Sequence, residues 1–193
     1  EATPDPFNLT ALTSVANKLF SQKCCVLEKL AEGGFHKVYN VKKENWDELG
    51  FVARVACPCF PKDKLESEVA TLKYIAEKTS IPVPKVIAWN SDASNEVGAE
   101  YVFLSKVPGV PSHKVWDEMP LEAKKRTVRQ VASHIHKLWE LRFDSLGSLY
   151  LTGDESGYKI GPIIEKFFYQ TLDGVPRTKV PIDLNEFRGP FPT

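Results

Sequence analysis

No stretch of this 193-residue chain stays apolar for the roughly 20 residues that a membrane-spanning helix requires. An excess of charge is equally lacking. The 25 lysines and arginines balance the 25 aspartates and glutamates, which removes the bulk electrostatic case for a nucleic acid or an anionic membrane as partner. The opening EATPDPFNLT is polar and proline-bearing, where a secretory leader would be cationic and then apolar. Zinc-like cysteine spacing is missing too. Cys24 and Cys25 are adjacent, Cys57 and Cys59 are separated by one residue, and structural zinc pairs are usually two to four residues apart. Reduced thiols in or near a sheet, in a cytoplasmic protein, are the expectation. Asn8-Leu9-Thr10 is a glycosylation sequon that matters only in the alternative of a secreted chain.

What is present is a globular composition, 42% apolar and 26% charged. Thr10 is placed to cap a short helix reaching Phe20, with Leu12, Val15, Ala16 and Leu19 on one face. Strands are expected over 25–30, 36–41 and 51–56, then a helix over 63–79 whose Leu65, Val69, Leu72 and Ala76 form a stripe. Further strands follow over 86–89 and 101–107, the latter stopped by Pro108-Gly109. The longest helix starts at Pro120 and runs to about Leu141, with Val128, Val131, Ala132, Ile135, Leu138 and Trp139 on one side. A last hairpin and an irregular, proline-bearing tail close the chain.

The LAEGGFHKVYNV stretch joins the first two strands. A glycine turn there suits an ordinary hairpin, through positive φ. It equally suits a loop whose backbone approaches phosphates. The neighbouring segments bear on that choice. EGGFHKVY, FVARVA, LESEVATLKYIAEKTSIPVPKVIAW, EYVFLSKVPGVP and FRGPFPT, in this order, resemble the aminoglycoside-phosphotransferase-like family of the protein-kinase-like fold, fungal type.

That resemblance implies an α+β fold. Residues 1–107 would form a kinase-like small lobe, a five-stranded antiparallel sheet plus helix. Residues 108–193 would form the hinge exit and a partial large lobe with a long helix and hairpin. It implies ATP with magnesium as cofactors and a nucleotide site made by Gly33, Gly34, Phe35, His36, Arg54, Glu68, Leu104, Ser105 and Val107. Backbone N–H groups around Gly33, Gly34 and Phe35 would face phosphate oxygens. Arg54 stands where a kinase normally carries lysine, and its fixed fork holds phosphate in a different geometry. Of the two glutamates on the following helix, Glu68 lies beside the apolar stripe while Glu66 lies nearly a quarter turn off it, so Glu68 is expected to orient Arg54. The carbonyl of Ser105 and the amide of Val107 would read adenine, with Leu104 lining the pocket.

The same family needs a His-Gly-Asp loop to position the acceptor, with an asparagine and a further aspartate to hold magnesium. Two positions beyond His36, His113, His134 and His136 stand Val38, Val115, His136 and Leu138. None is aspartate. The expectation is therefore a truncated phosphotransferase-like chain that binds nucleotide weakly at most and is inactive alone. A full-length form would phosphorylate a small-molecule hydroxyl. The alternative is a non-catalytic binding or interaction protein on the same lobe. The stripe of helix 121–141 lacks the later helices that would cover it, and two remedies are open. The hairpin and tail beyond Asp144, with Phe167, Phe168, Phe187 and Phe191, could fold back over it, or a second copy could cover it. The tail's prolines favour self-association through this helix.

Overall fold

The structure, a computed structural model, describes residues 6–21, 25–34, 36–56, 62–165 and 184–192. Helix α1 (Leu9–Leu19) is followed by strands β1 (Val26–Glu32), β2 (His36–Lys42) and β3 (Glu48–Ala56), helix α2 (Asp63–Lys78), and strands β4 (Val86–Asn90) and β5 (Tyr101–Ser105). The five strands form one antiparallel sheet in the order β1-β2-β3-β5-β4. This is the α+β arrangement expected from the sequence.

Two packed faces explain the alternation along the strands. On one face, Ala53 and Val55 of β3 and Tyr101 and Phe103 of β5 join Tyr39 and Val41 against Leu12 and Ala16 of α1. Phe20 extends that layer by stacking on Phe51 at 4.4 Å. On the other face, Val102 and Leu104 meet Leu65 and Val69 of α2, with Val52 alongside. The period of two in the strands thus feeds a separate helix on each side.

Some boundaries differ from expectation for identifiable reasons. Thr10 does not cap α1; Asn8 does, its Oδ1 accepting from the Ala11 N–H at 3.0 Å, and an Asn at that position satisfies one of the helix's unpaired donors. β3 begins three residues earlier than expected. Leu49 and Gly50 are inserted between the Lys42–Glu48 and Val41–Phe51 pairs, and Gly50 takes φ +74° at this bulge. Its carbonyl accepts from the Lys106 N–H at 2.8 Å. β5 stops at Ser105, so Val107 lies beyond the strand, with a side chain 63% exposed.

Beyond the sheet, α3 (Leu121–Glu140) precedes a two-residue strand β6 (Ser145–Leu146) and the hairpin of β7 (Ser148–Leu151) and β8 (Tyr158–Gly161). The hairpin docks on α2. Tyr158 sits edge-on to Tyr74 with centroids 5.0 Å apart and donates its O–H to Glu77 at 2.9 Å, while Lys73 pairs with Glu155 at 2.9 Å. The described part of the tail is more regular than expected, because Phe191–Pro192 (β9) pairs with β6. Phe167 and Phe168 lie outside the described residues. Among the described residues, no helix is long and apolar enough to cross a membrane.

Candidate functional site

The α2-facing side of the sheet carries a compact charged group. In β2 and β3, Val38 pairs with Arg54 and His36 with Ala56, so His36 and Arg54 share a face as diagonal neighbours. On α2, Lys64 and Glu68 are four residues apart and so lie on one side of the helix. The two pairs meet. Arg54 Nη2 forms an ion pair with Glu68 Oε1, and Lys64 Nζ approaches His36 Nε2 at 2.8 Å. Glu66 is engaged elsewhere, accepting from the Ser91 hydroxyl at 2.9 Å.

The protonation of this group follows from its surroundings. Burial, then the charges of Lys64 and Arg54, hold the His36 imidazole down at about 4, with Glu68 opposing them. His36 is neutral at pH 7. A lysine ammonium only donates, so Nε2 must be the acceptor and the ring proton resides on Nδ1. Arg54 is mostly covered, and its buried Nε has no hydrogen-bond partner among the described residues. A desolvated donor left unpaired costs about 1–3 kcal/mol. An anion or a water at that point would remove the cost.

Two contacts outside the group set the position of α2. Glu100, itself buried, accepts from the Lys62 N–H at 2.7 Å and caps the helix start with negative charge. Its carbonyl also accepts from the Ala56 N–H at 2.9 Å, joining the end of β3 to the start of α2. Burial pushes the Glu100 carboxyl above its ordinary value, against the pull of that backbone hydrogen bond. From the far end of the chain, buried Arg188 pairs with Asp63, the first residue of α2, at 2.6 Å, and donates from Nε to the Ile163 carbonyl at 3.0 Å.

The remaining expected residues are placed as follows. Gly33 donates its N–H to the His36 carbonyl at 2.9 Å, which closes the β1–β2 turn. Neither Gly33 nor Gly34 takes the positive φ by which a glycine turn was read, and a Cβ on either would meet nothing within 4 Å. What these glycines offer is open backbone. Phe35, like Cys24, Cys57 and Cys59, lies outside the described residues. Leu104 is 6% exposed in the α2-side core. Ser105 is tied to Lys85 twice, its N–H donating to the Lys85 carbonyl at 2.9 Å and its Oγ accepting from the Lys85 N–H at 2.8 Å. Gly109, at φ +114°, turns the chain away after Pro108. Cys25 is buried in the α1-side core. Lys64, Glu100, Asp63 and Arg188 were not singled out by the sequence. The i, i+4 relation of Lys64 to Glu68 was the one available signal among them.

As to nucleotide fit, the orphaned Arg54 donor suits a phosphate. Magnesium fares differently. Among the described residues, no group of three or more His, Cys, Asp or Glu side chains could hold a metal ion.

The fold is that of a kinase-like small lobe. A mutant aminoglycoside 2'-phosphotransferase-IIIa solved as a GDP complex superposes with a TM-score of 0.54 at 20% identity, over 68% of this chain and 41% of that one. No family model matches the sequence. A subtelomeric hrmA-associated cluster protein of Aspergillus fumigatus is 34% identical over 146 residues, 75% of this chain and 28% of the relative. The mitochondrial protein named altered inheritance of mitochondria protein 9 is 24% identical in Candida tropicalis, over 86% of this chain and 30% of the relative. Its Yarrowia lipolytica counterpart is 27% identical, over 89% and 33%. The chain thus spans about a third of the length of these relatives or less. The mitochondrial names of the Candida and Yarrowia relatives overturn the expectation of a cytoplasmic protein, which rests on cysteine usage and the polar start alone.

Proposed function

We propose that this chain is the nucleotide-binding lobe of a kinase-like phosphotransferase, related in architecture to aminoglycoside phosphotransferases and working in mitochondria. Arg54, held by Glu68, takes the nucleotide phosphates beside the Gly33–Gly34 turn. The carbonyl of Ser105 and the amide of Val107 read the base, and Leu104 contributes from the edge of the core. The carrying observation is the buried Arg54 Nε without a partner, because a phosphate oxygen would satisfy it in a charge-assisted bond. When bound, ATP would supply the phosphoryl group. This lobe's own residues bind and orient it, and transfer to a small-molecule hydroxyl belongs to a longer form.

Isothermal titration calorimetry with ATP, and with GTP because the structural neighbour was solved with GDP, tests this reading. Half of a cleft should bind in the millimolar range, on the order of −4 kcal/mol. Arg54→Ala should weaken that binding about tenfold. No binding of either nucleotide, or undiminished binding by the variant, overturns the assignment.

A second reading, a non-catalytic interaction module that pairs with another copy through α3, draws on a separate observation. No residue of α3 is buried, and Trp139 is 76% exposed.

A further inference from the structure

The group on the α2-facing side is asymmetric in charge. Sheet and helix each contribute two residues, and the four side chains comprise two cations, Arg54 and Lys64, one carboxylate, Glu68, and one neutral imidazole, His36. The Arg54–Glu68 half joins opposite charges. The His36–Lys64 half joins a cation to a neutral acceptor, so the lysine is aimed without being neutralised by its sheet partner. Lys64 also lies near enough to Glu100 for its charge to favour that carboxylate. Bringing two cations together in a partly desolvated group is unfavourable in itself. The unsatisfied Arg54 Nε adds to that cost.

The turn that ends in His36 also carries the open backbone of Gly33 and Gly34. An anion placed by that turn has one cation on the sheet side and one on the helix side. A monoanion would need only one of them. A di- or triphosphate has oxygens enough to reach both while accepting from the Gly34 N–H, the Gly33 N–H being engaged by the His36 carbonyl.

We propose that Lys64 is a second phosphate-binding cation of this site, aimed by His36, and that the site therefore selects polyphosphates over single phosphates. This rests on the nucleotide reading for the identity of the ligand and not for the existence of the anion site. Lys64 is then a binding residue and His36 a positioning residue acting through it.

The test is calorimetry on the full chain with four probes: inorganic tripolyphosphate, inorganic phosphate, ADP and adenosine. Lys64→Gln should weaken tripolyphosphate and ADP about tenfold, the loss expected for one charge-assisted contact, and leave adenosine unchanged. Lys64→Arg should restore most of the affinity. His36→Leu should weaken the same two probes by a smaller factor, because it loosens the aim and leaves the charge. Far-ultraviolet circular dichroism and a urea midpoint for each variant establish that it is folded.

ADP binding that is equal in wild type and Lys64→Gln overturns this proposal and leaves the nucleotide reading standing. Tripolyphosphate binding that depends on Lys64, without any ADP or ATP binding, upholds the anion site and removes the nucleotide reading. Equal affinity for phosphate and tripolyphosphate overturns the selectivity. No binding of any probe overturns both readings.

Discussion

Helices α2 and α3 are both amphipathic, yet their fates differ. α2 buries Leu65, Ser67, Val69 and Ala70. It is gripped by the sheet, by the β7–β8 hairpin, by Glu100 at its start and by Arg188. α3 is longer and buries nothing, with Val128, Val131, Ile135 and Leu138 between 43% and 58% exposed. A stripe at helical spacing shows which face can be buried; a complementary surface decides whether it is. α2 faces a sheet whose Val102 and Leu104 match its stripe. At the C-terminal end of α3, Leu138 and the following Leu141 line a cleft of about 450 Å³ shared with Tyr74 and Phe143.

The contrast breaks if equivalent substitutions in the two helices cost the same. Leu65→Ala should destabilise by about 2–5 kcal/mol, the range for a buried leucine replaced by alanine, whereas Ile135→Ala should stay within about 0.5 kcal/mol. Urea midpoints of the two variants decide this, and equal shifts would show that α3 is covered in solution.

Arg188→Gln should cost about 1–3 kcal/mol, since it leaves Asp63 and the Ile163 carbonyl without their charged partner. Hydrogen exchange should rise in the first turn of α2 and remain unchanged in α3. A uniform rise would mean that Arg188 stabilises the whole molecule and does not hold one helix end.

The His36–Lys64 contact makes α2 sensitive to acid. The folded His36 value of about 4 lies below the ordinary 6.5, so the unfolded chain takes up the proton first. The associated stability is fully present above pH 6.5 and is lost as the pH falls from there toward 4. Between pH 7.5 and 5 the loss should be about 1–2 kcal/mol, and His36→Gln should lack it. Urea unfolding of both proteins at the two pH values is the measurement, and parallel losses would remove His36 as the cause.

The smallest effect on stability is expected from the joint change Ile135→Ser and Trp139→Gln, within about 0.5 kcal/mol. Sedimentation velocity then sharpens the comparison. If α3 pairs with a second copy, the wild type should show concentration-dependent association that the double variant lacks, and a wild-type monomer at all concentrations would end that reading.

Local pattern and the succession of elements along the chain were legible; the order of strands within the sheet was not. The β1–β2–β3 run, the α2 stripe and the β4–β5 pair follow from periods of 3.6 and 2, punctuated by glycine and proline. The choice of Glu68 over Glu66 followed from one angular argument, and the ion pair with Arg54 is present. The partners of His36 and Arg188 were not legible. His36 meets Lys64 only because the sheet register and the seating of α2 place them together, and neither is written in a local window. Asn8 was missed as the α1 cap in favour of Thr10, though both side chains are chemically able to cap; the deciding fact is which N–H groups the helix start presents. The turn glycines were read through positive φ, and the structure gives them open space in its place.

The Arg188–Asp63 contact spans 125 positions of sequence, which has a consequence for the order of events during synthesis. A ribosome adds roughly 5–20 residues per second. Asp63 therefore emerges some 6–25 s, to order of magnitude, before the residue that will hold it. The five-stranded sheet, α2 and the β7–β8 hairpin all have time to form in that interval, being closed by shorter separations. The start of α2 must wait, with Glu100 as its earlier anchor. In a nascent chain the charged group on the α2-facing side would thus be assembled before its helix is fixed at the N-terminal end, and the last tie would be made by a segment translated well after the lobe itself.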